Sequence, residues 1–149
     1  MKTLNSTDCL YYLISRTSLV ITSALKKGFA LADVGQMKPA YIGVLLSLWN
    51  EDGVKMVELG RKAGLEPSTM SGLLDRMAKD KLIKRVAAKN DRRAQLIFLT
   101  ESGKNIQKPV LEAINQVLAD VFGDIPENDI AVSKQFLRHI LANSHKKIT

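Results

Sequence analysis

A chain of 149 residues with 46% apolar and 25% charged residues has enough material for one domain with a substantial core, which excludes disorder along its whole length. Its net charge of +7 and pI near 9.6 point to a polyanionic partner, either nucleic acid or an anionic membrane surface, or to a protein that is merely basic. A single cysteine, Cys9, excludes an intrachain disulfide and a cysteine-built zinc site; with polar first residues that lack the basic, apolar and small order of a signal peptide, and no apolar run of ~20 residues, the expected location is cytoplasmic, away from membranes.

Apolar residues at helical spacing (Leu10, Leu13, Ile14, Ile21, Leu25) predict a first helix from about Asp8 to Ala30. Ser6, Thr7 and Asp8 are its candidate caps, and Gly28 marks the end of its pattern. Gly35 to Pro39 reads as a connection. Pro39 suits the first turn of a second helix running to Trp49, and Asn50 to Gly53 is a turn. A short third helix, about Val57 to Ala63, stops at Gly64. Pro67 then opens a fourth helix, on which Met70, Leu73, Leu74 and Met77 form an i, i+3, i+4, i+7 apolar stripe. Its opposite face carries Ser68, Gly72, Asp75 and Lys79, flanked by Ser71 and Arg76. Two strand-like runs, Leu82 to Ala87 and Ala94 to Leu99, bracket a hairpin tip from Ala88 to Arg93. Thr100 caps a long helix to Phe122, in which Pro109 predicts a kink. After a break at Gly123 to Pro126, a last helix spans about Glu127 to Ala142.

The charge is localised. Between Lys55 and Lys104 there are 12 Lys/Arg against 6 Asp/Glu, whereas the rest of the chain holds 10 and 9. A nucleic-acid footprint has this distribution. Within that segment a short helix, a glycine-containing turn and a second helix have the layout of a helix-turn-helix. The second of these helices begins with short hydroxyl residues, where unsatisfied N–H groups and a positive dipole favour phosphate and small side chains admit the helix to a major groove ~12 Å wide. Two packed helices without a ligand have the same pattern. The hairpin that follows adds five cations within ten residues, Lys84, Arg85, Lys89, Arg92 and Arg93, against one acid, Asp91. Such a tip suits the DNA backbone and minor groove. Alone, it also reads as a solvated charged loop.

The segments Leu65–Met77, Leu82–Arg85 and Asp91–Thr100 resemble the MarR family of bacterial and archaeal regulators, above all in the wing pattern Asp91-x-Arg93, five residues, Leu99-Thr100, with Gly103 beyond. The resemblance implies a mainly α fold with a small β-wing: a winged helix-turn-helix lobe at about 40–103, flanked by dimerisation helices at about 8–30 and 104–145, all one domain over 1–149. It implies a homodimer on a pseudo-palindromic operator in double-stranded DNA. Pro67, Ser68, Thr69, Ser71, Arg76 and Lys79 of the recognition helix, with Lys89, Asp91, Arg92 and Arg93 of the wing, are the implied DNA-binding residues; Arg93 would enter the minor groove and Asp91 would orient the wing. Regulation, as repression relieved by a signal, is implied by family analogy alone. Gly72 departs from the family, standing where arginine or another polar residue is frequent. Val57 replaces a capping hydroxyl, and Gly60 replaces an alanine.

Tyr11, Met37, Tyr41 and Trp49 are candidate walls of a pocket for a small aromatic effector, or simply core. Cys9 is either a peroxide sensor, as in some family members, or a small buried apolar residue. His139 and His145, six apart, do not share a helical face, so no metal site is expected. No nucleophile motif, phosphate-binding glycine loop or carboxylate constellation appears, so neither an enzyme nor a cofactor is expected. Asp75 and Asp91 read as arginine partners. The alternative function is a winged-helix module that binds protein or RNA.

Overall fold

A computed structural model describes residues 5–147, apart from the side chains of Arg92, Arg93 and residues 145–147. The chain forms two compact units, Met1–Val117 and Leu118–Thr149. The elements are α1 (Leu10–Leu31), a 3₁₀ turn (Pro39–Tyr41), α2 (Ile42–Asn50), β1 (Val54–Lys55), α3 (Met56–Ala63), α4 (Pro67–Lys79), β2 (Ile83–Ala88), β3 (Asp91–Leu99), α5 (Glu101–Asn105), α6 (Gln107–Phe122) and α7 (Glu127–Lys147). The result is mainly helical with one small antiparallel sheet in the order β1-β3-β2.

The core of the larger unit follows the apolar spacing. Leu45 and Leu48 of α2, Leu59 of α3, the stripe Met70, Leu73, Leu74 and Met77 of α4, and Ile97 and Leu99 of β3 are all buried. Ridges of α4 therefore face inward, and its opposite face is left outside. Gly64 adopts φ 67 and ends α3, with the Leu65 N–H donating to the Gly60 carbonyl at 3.0 Å. That αL cap turns the chain sharply into α4, where Pro67 occupies the first turn.

Several elements differ from the sequence expectation. Helix α1 passes through Gly28 to Leu31. A Cβ at Gly28 would lie 2.5 Å from Val117 Cγ2, so this glycine serves the close approach of α6 and does not stop the helix. Cys9, without a side-chain cap bond, stands at the N-cap in place of Ser6, Thr7 or Asp8. Strand β1 has only two residues, too few for any periodicity, and exists through its pairing with Ile97 and Leu96 of β3. Helix α3 begins at Met56 with Lys55 at its N-cap, which moves Val57 into the first turn, exposed. The strands run further than expected, so the hairpin turn shrinks to Lys89 and Asn90. The long helix after Thr100 is interrupted at Ile106. Pro109 has no N–H for the Asn105 carbonyl and its ring crowds that group, so one helix ends at Asn105 and Pro109 falls in the first turn of the next. Helix α7 extends to Lys147, beyond the expected Ala142.

No helix among the described residues is long and apolar enough to cross a membrane.

Candidate nucleic-acid interface

The interface is built on α4. Its buried stripe fixes which side faces out: Pro67, Ser68, Thr69, Asp75, Arg76 and Lys79 are exposed, and Ser71 and Gly72 are half-buried. The first i→i−4 bond of the helix is donated by Met70 N–H to the Glu66 carbonyl. The Ser68 and Thr69 amides precede it, leaving N–H groups and the positive end of the helix dipole at the exposed terminus. Arg76 and Lys79 add cations in the last turn. The chain then leaves α4 through Lys81 in the left-handed region, φ 62, directly into β2.

The wing is β2 and β3. Residues pair from Ile83↔Leu99 to Ala87↔Gln95, and the next step is Ala88↔Asp91. One residue on β2 thus matches four on β3, so the extra length, Arg92 to Ala94, falls in this register shift. Lys89 and Asp91 are exposed at the tip. The backbone of Arg92 and Arg93 belongs to β3 and not to the turn; their side chains lie outside the described residues.

Arg85 joins wing and helix. Arg85 of β2 reaches across to α4, where its Nη1 pairs with the Asp75 carboxylate. Its Nη2 donates to the Ser71 carbonyl at 3.1 Å and to Ser71 Oγ at 3.3 Å, and lies 3.8 Å from Met56 Sδ. Asp75 is thus an arginine partner, as expected. The clamp was not legible: ten residues and a turn separate Asp75 from Arg85, and opposite charges at that spacing do not by themselves imply contact. Ser71, an expected DNA contact, is turned partly toward this clamp.

Two further anchors set the lobe's geometry. The Trp49 indole N–H donates to the Gly103 carbonyl at 2.9 Å, and Thr100 Oγ1 accepts from Gly103 N–H at 3.0 Å while donating to the Lys81 carbonyl at 2.6 Å. The latter pair ties the end of β3 to the turn that leaves α4. Gly103 is obligatory there, since an added Cβ would land on the Leu82 carbonyl oxygen.

The candidate effector residues differ in exposure. Tyr41 and Met37 are buried, Trp49 is half-buried, and Tyr11 is 80% exposed on α1. The Tyr41 hydroxyl donates to Asp80 Oδ2 at 2.6 Å, and Lys38 pairs with the same carboxylate at 3.8 Å. Burial, followed by the Asp80 carboxylate, pushes the Tyr41 phenol up to about 12. A shallow cleft of about 240 Å³ lies between α3 and α4, lined by Val57, Gly60, Arg61 and Leu65 among others; none of the four candidates borders it. Cys9 is half-exposed at the start of α1. His139 is exposed on α7, and the side chain of His145 lies outside the described residues.

A helix-turn-helix whose second helix shows a short, polar, partly cationic face beside a basic β-hairpin defines a winged helix-turn-helix protein. The sequence model of the MarR family matches residues 37–94. The HTH-type transcriptional regulator SarZ of Staphylococcus haemolyticus is 34% identical over 101 residues, covering 68% of this chain and 67% of SarZ. CouR from Rhodococcus jostii RHA1, solved bound to p-coumaroyl-CoA, superposes with a TM-score of 0.77 at 22% identity over 93% of this chain and 95% of CouR. Reduced AbfR bound to DNA gives a TM-score of 0.71 at 25% identity over 89% and 92%. The chain belongs to the MarR family of winged helix-turn-helix transcriptional regulators.

Proposed function

We propose that this chain binds a pseudo-palindromic operator in double-stranded DNA as a homodimer and that a small aromatic molecule controls that binding. The observation that carries the reading is the outward face of α4. Exposed Ser68 and Thr69 stand at its N-terminus and Arg76 and Lys79 further along, all beside a basic hairpin. Ser68 and Thr69 are short enough for close approach to base edges. Arg76 reaches a guanine edge or a phosphate, Lys79, Lys89 and Arg92 meet the DNA backbone, and Arg93 enters the adjacent minor groove. Asp91 orients the wing.

The dimer reading rests on two helices taken separately. Helix α1 exposes Leu10, Tyr11, Tyr12, Leu13 and Leu19, and α7 exposes Val132, Phe136, Leu137, Ile140 and Leu141. Apolar helical faces of this extent suit burial against a second copy, and two-fold symmetry sets two recognition helices about one DNA turn, ~34–36 Å, apart. The effector reading draws on CouR, whose ligand carries an aromatic acyl group.

The test begins with selection of bound sequences from random duplex DNA. The selected duplex and its RNA counterpart are then titrated with the protein, and the mass of the free protein is measured by sedimentation. A two-fold-related consensus, preference for DNA and a dimer mass are expected. Equal affinity for RNA would favour the interaction-module alternative, and a monomer that binds the operator tightly would overturn the dimer. Release of the operator by an aromatic acid or its thioester supports the effector arm; indifference to such compounds defeats it.

A further inference from the structure

Gly72 sits mid-way along α4, between Ser68 and Lys79 on the outward face. A glycine inside a helix is less favourable than alanine, because it gives up more backbone freedom on folding. Packing does not require it here: a Cβ at Gly72 would have no neighbour within 4 Å. This contrasts with Gly28 and Gly103, where a Cβ meets Val117 or the Leu82 carbonyl. The missing side chain leaves a recess in the surface that the helix turns to the outside.

The chemistry of that recess is restricted. The Gly72 N–H and carbonyl lie within the hydrogen-bonded ladder of α4, so the floor of the recess offers only the Cα hydrogens, while exposed Ser68, Thr69 and Arg76, three or four residues away, stand around it. Asp75, one turn on, is engaged by Arg85. A small apolar group fits that floor without leaving a polar atom unpaired. On the major-groove edges of the four bases there is one projecting apolar group, the C5-methyl of thymine.

We propose that Gly72 is a specificity-determining residue: its recess receives a thymine methyl in each half-site and allows α4 to lie closer to the base edges than any side chain would permit. This rests on the DNA-binding reading above, with α4 in the major groove.

The test uses the full chain and the duplex selected by the wild type. Each thymine of the selected operator is replaced in turn by deoxyuridine, which removes the methyl and changes no hydrogen bond. The wild type should lose about fourfold in affinity at one thymine per half-site, the loss expected for one buried methyl. Gly72→Ala should melt roughly 2–4 °C higher, as a helix relieved of an interior glycine. It should nevertheless bind the operator at least about fivefold more weakly, with no remaining response to deoxyuridine at that thymine. Deoxyuridine without effect at every position, or Gly72→Ala with wild-type affinity and wild-type response, overturns the proposal. Failure to select any duplex is a different result, and removes the DNA-binding reading on which the proposal rests.

Discussion

Replacing Arg85 by glutamine removes a side chain that bridges wing and recognition helix. Its guanidinium pairs with Asp75 and bonds to the Ser71 carbonyl and hydroxyl. The Asp75 side chain is 65% exposed, so solvent screens the ion pair to about 0.5–1 kcal/mol. The Ser71 carbonyl also accepts within the helix, and losing its charged second donor costs about 1 kcal/mol more. Arg85→Gln should therefore destabilise the fold by about 1.5–2 kcal/mol in urea unfolding. Asp75→Asn should cost about half as much, because its carboxylate is already largely hydrated. The two changes together should be less than additive by about 0.5–1 kcal/mol, and 1 M salt should shrink that coupling. Operator affinity should fall in both variants, because the wing is no longer held against α4. Strict additivity in the cycle, at low salt, would refute the clamp.

Gly103→Ala should be among the most damaging single changes, at about 3 kcal/mol or more, because its Cβ meets the Leu82 backbone and not a side chain that can turn away; thermal unfolding measures it. Gly60→Ala should act oppositely: its Cβ meets Leu65 and Met70 at 3.6–3.8 Å, ordinary contact distances, so the variant should gain about 0.5–1 kcal/mol, and a lower melting temperature would contradict the packing described. Tyr41 predicts an alkaline limb of stability. The folded-state value, pushed up to about 12, lies above the phenol's ordinary 10.0, so the contribution is complete below pH 10 and is lost as pH rises to 12, about 2–3 kcal/mol in all. A difference between wild type and Tyr41→Phe that stays constant from pH 9 to 12 would remove that linkage.

The parts of this molecule that local chemistry determines were legible in the sequence. The apolar stripe of α4 told which face is buried, and Gly64 and Pro67 marked the turn between the paired helices. The hairpin was legible from two β-rich runs and a polar tip. Features that depend on distant partners were not. Strand β1 exists only because Leu96 and Ile97 lie beside it. Gly28 looked like a helix stop because its reason, Val117, is far along the chain. The break at Ile106 follows from Pro109, but whether a proline bends a helix or ends it depends on packing around it. At the candidate site, the exposed residues of α4 were recognisable by type and spacing. The tie from Arg85 to Asp75 and Ser71 was not, because it joins a strand to a helix across a turn.

The central claim is that the outward N-terminal face of α4 meets duplex DNA. Thr69→Glu separates that claim from folding. A carboxylate in the first turn favours the positive end of the helix dipole, so the fold should be as stable as the wild type or slightly more so. The same carboxylate would face the phosphates and acceptor-rich base edges of the major groove, at a cost of several kcal/mol. Affinity for the selected operator, measured by fluorescence anisotropy at one fixed salt concentration, should fall at least about a hundredfold while the melting temperature holds. An affinity within twofold of the wild type would show that α4 does not enter the groove.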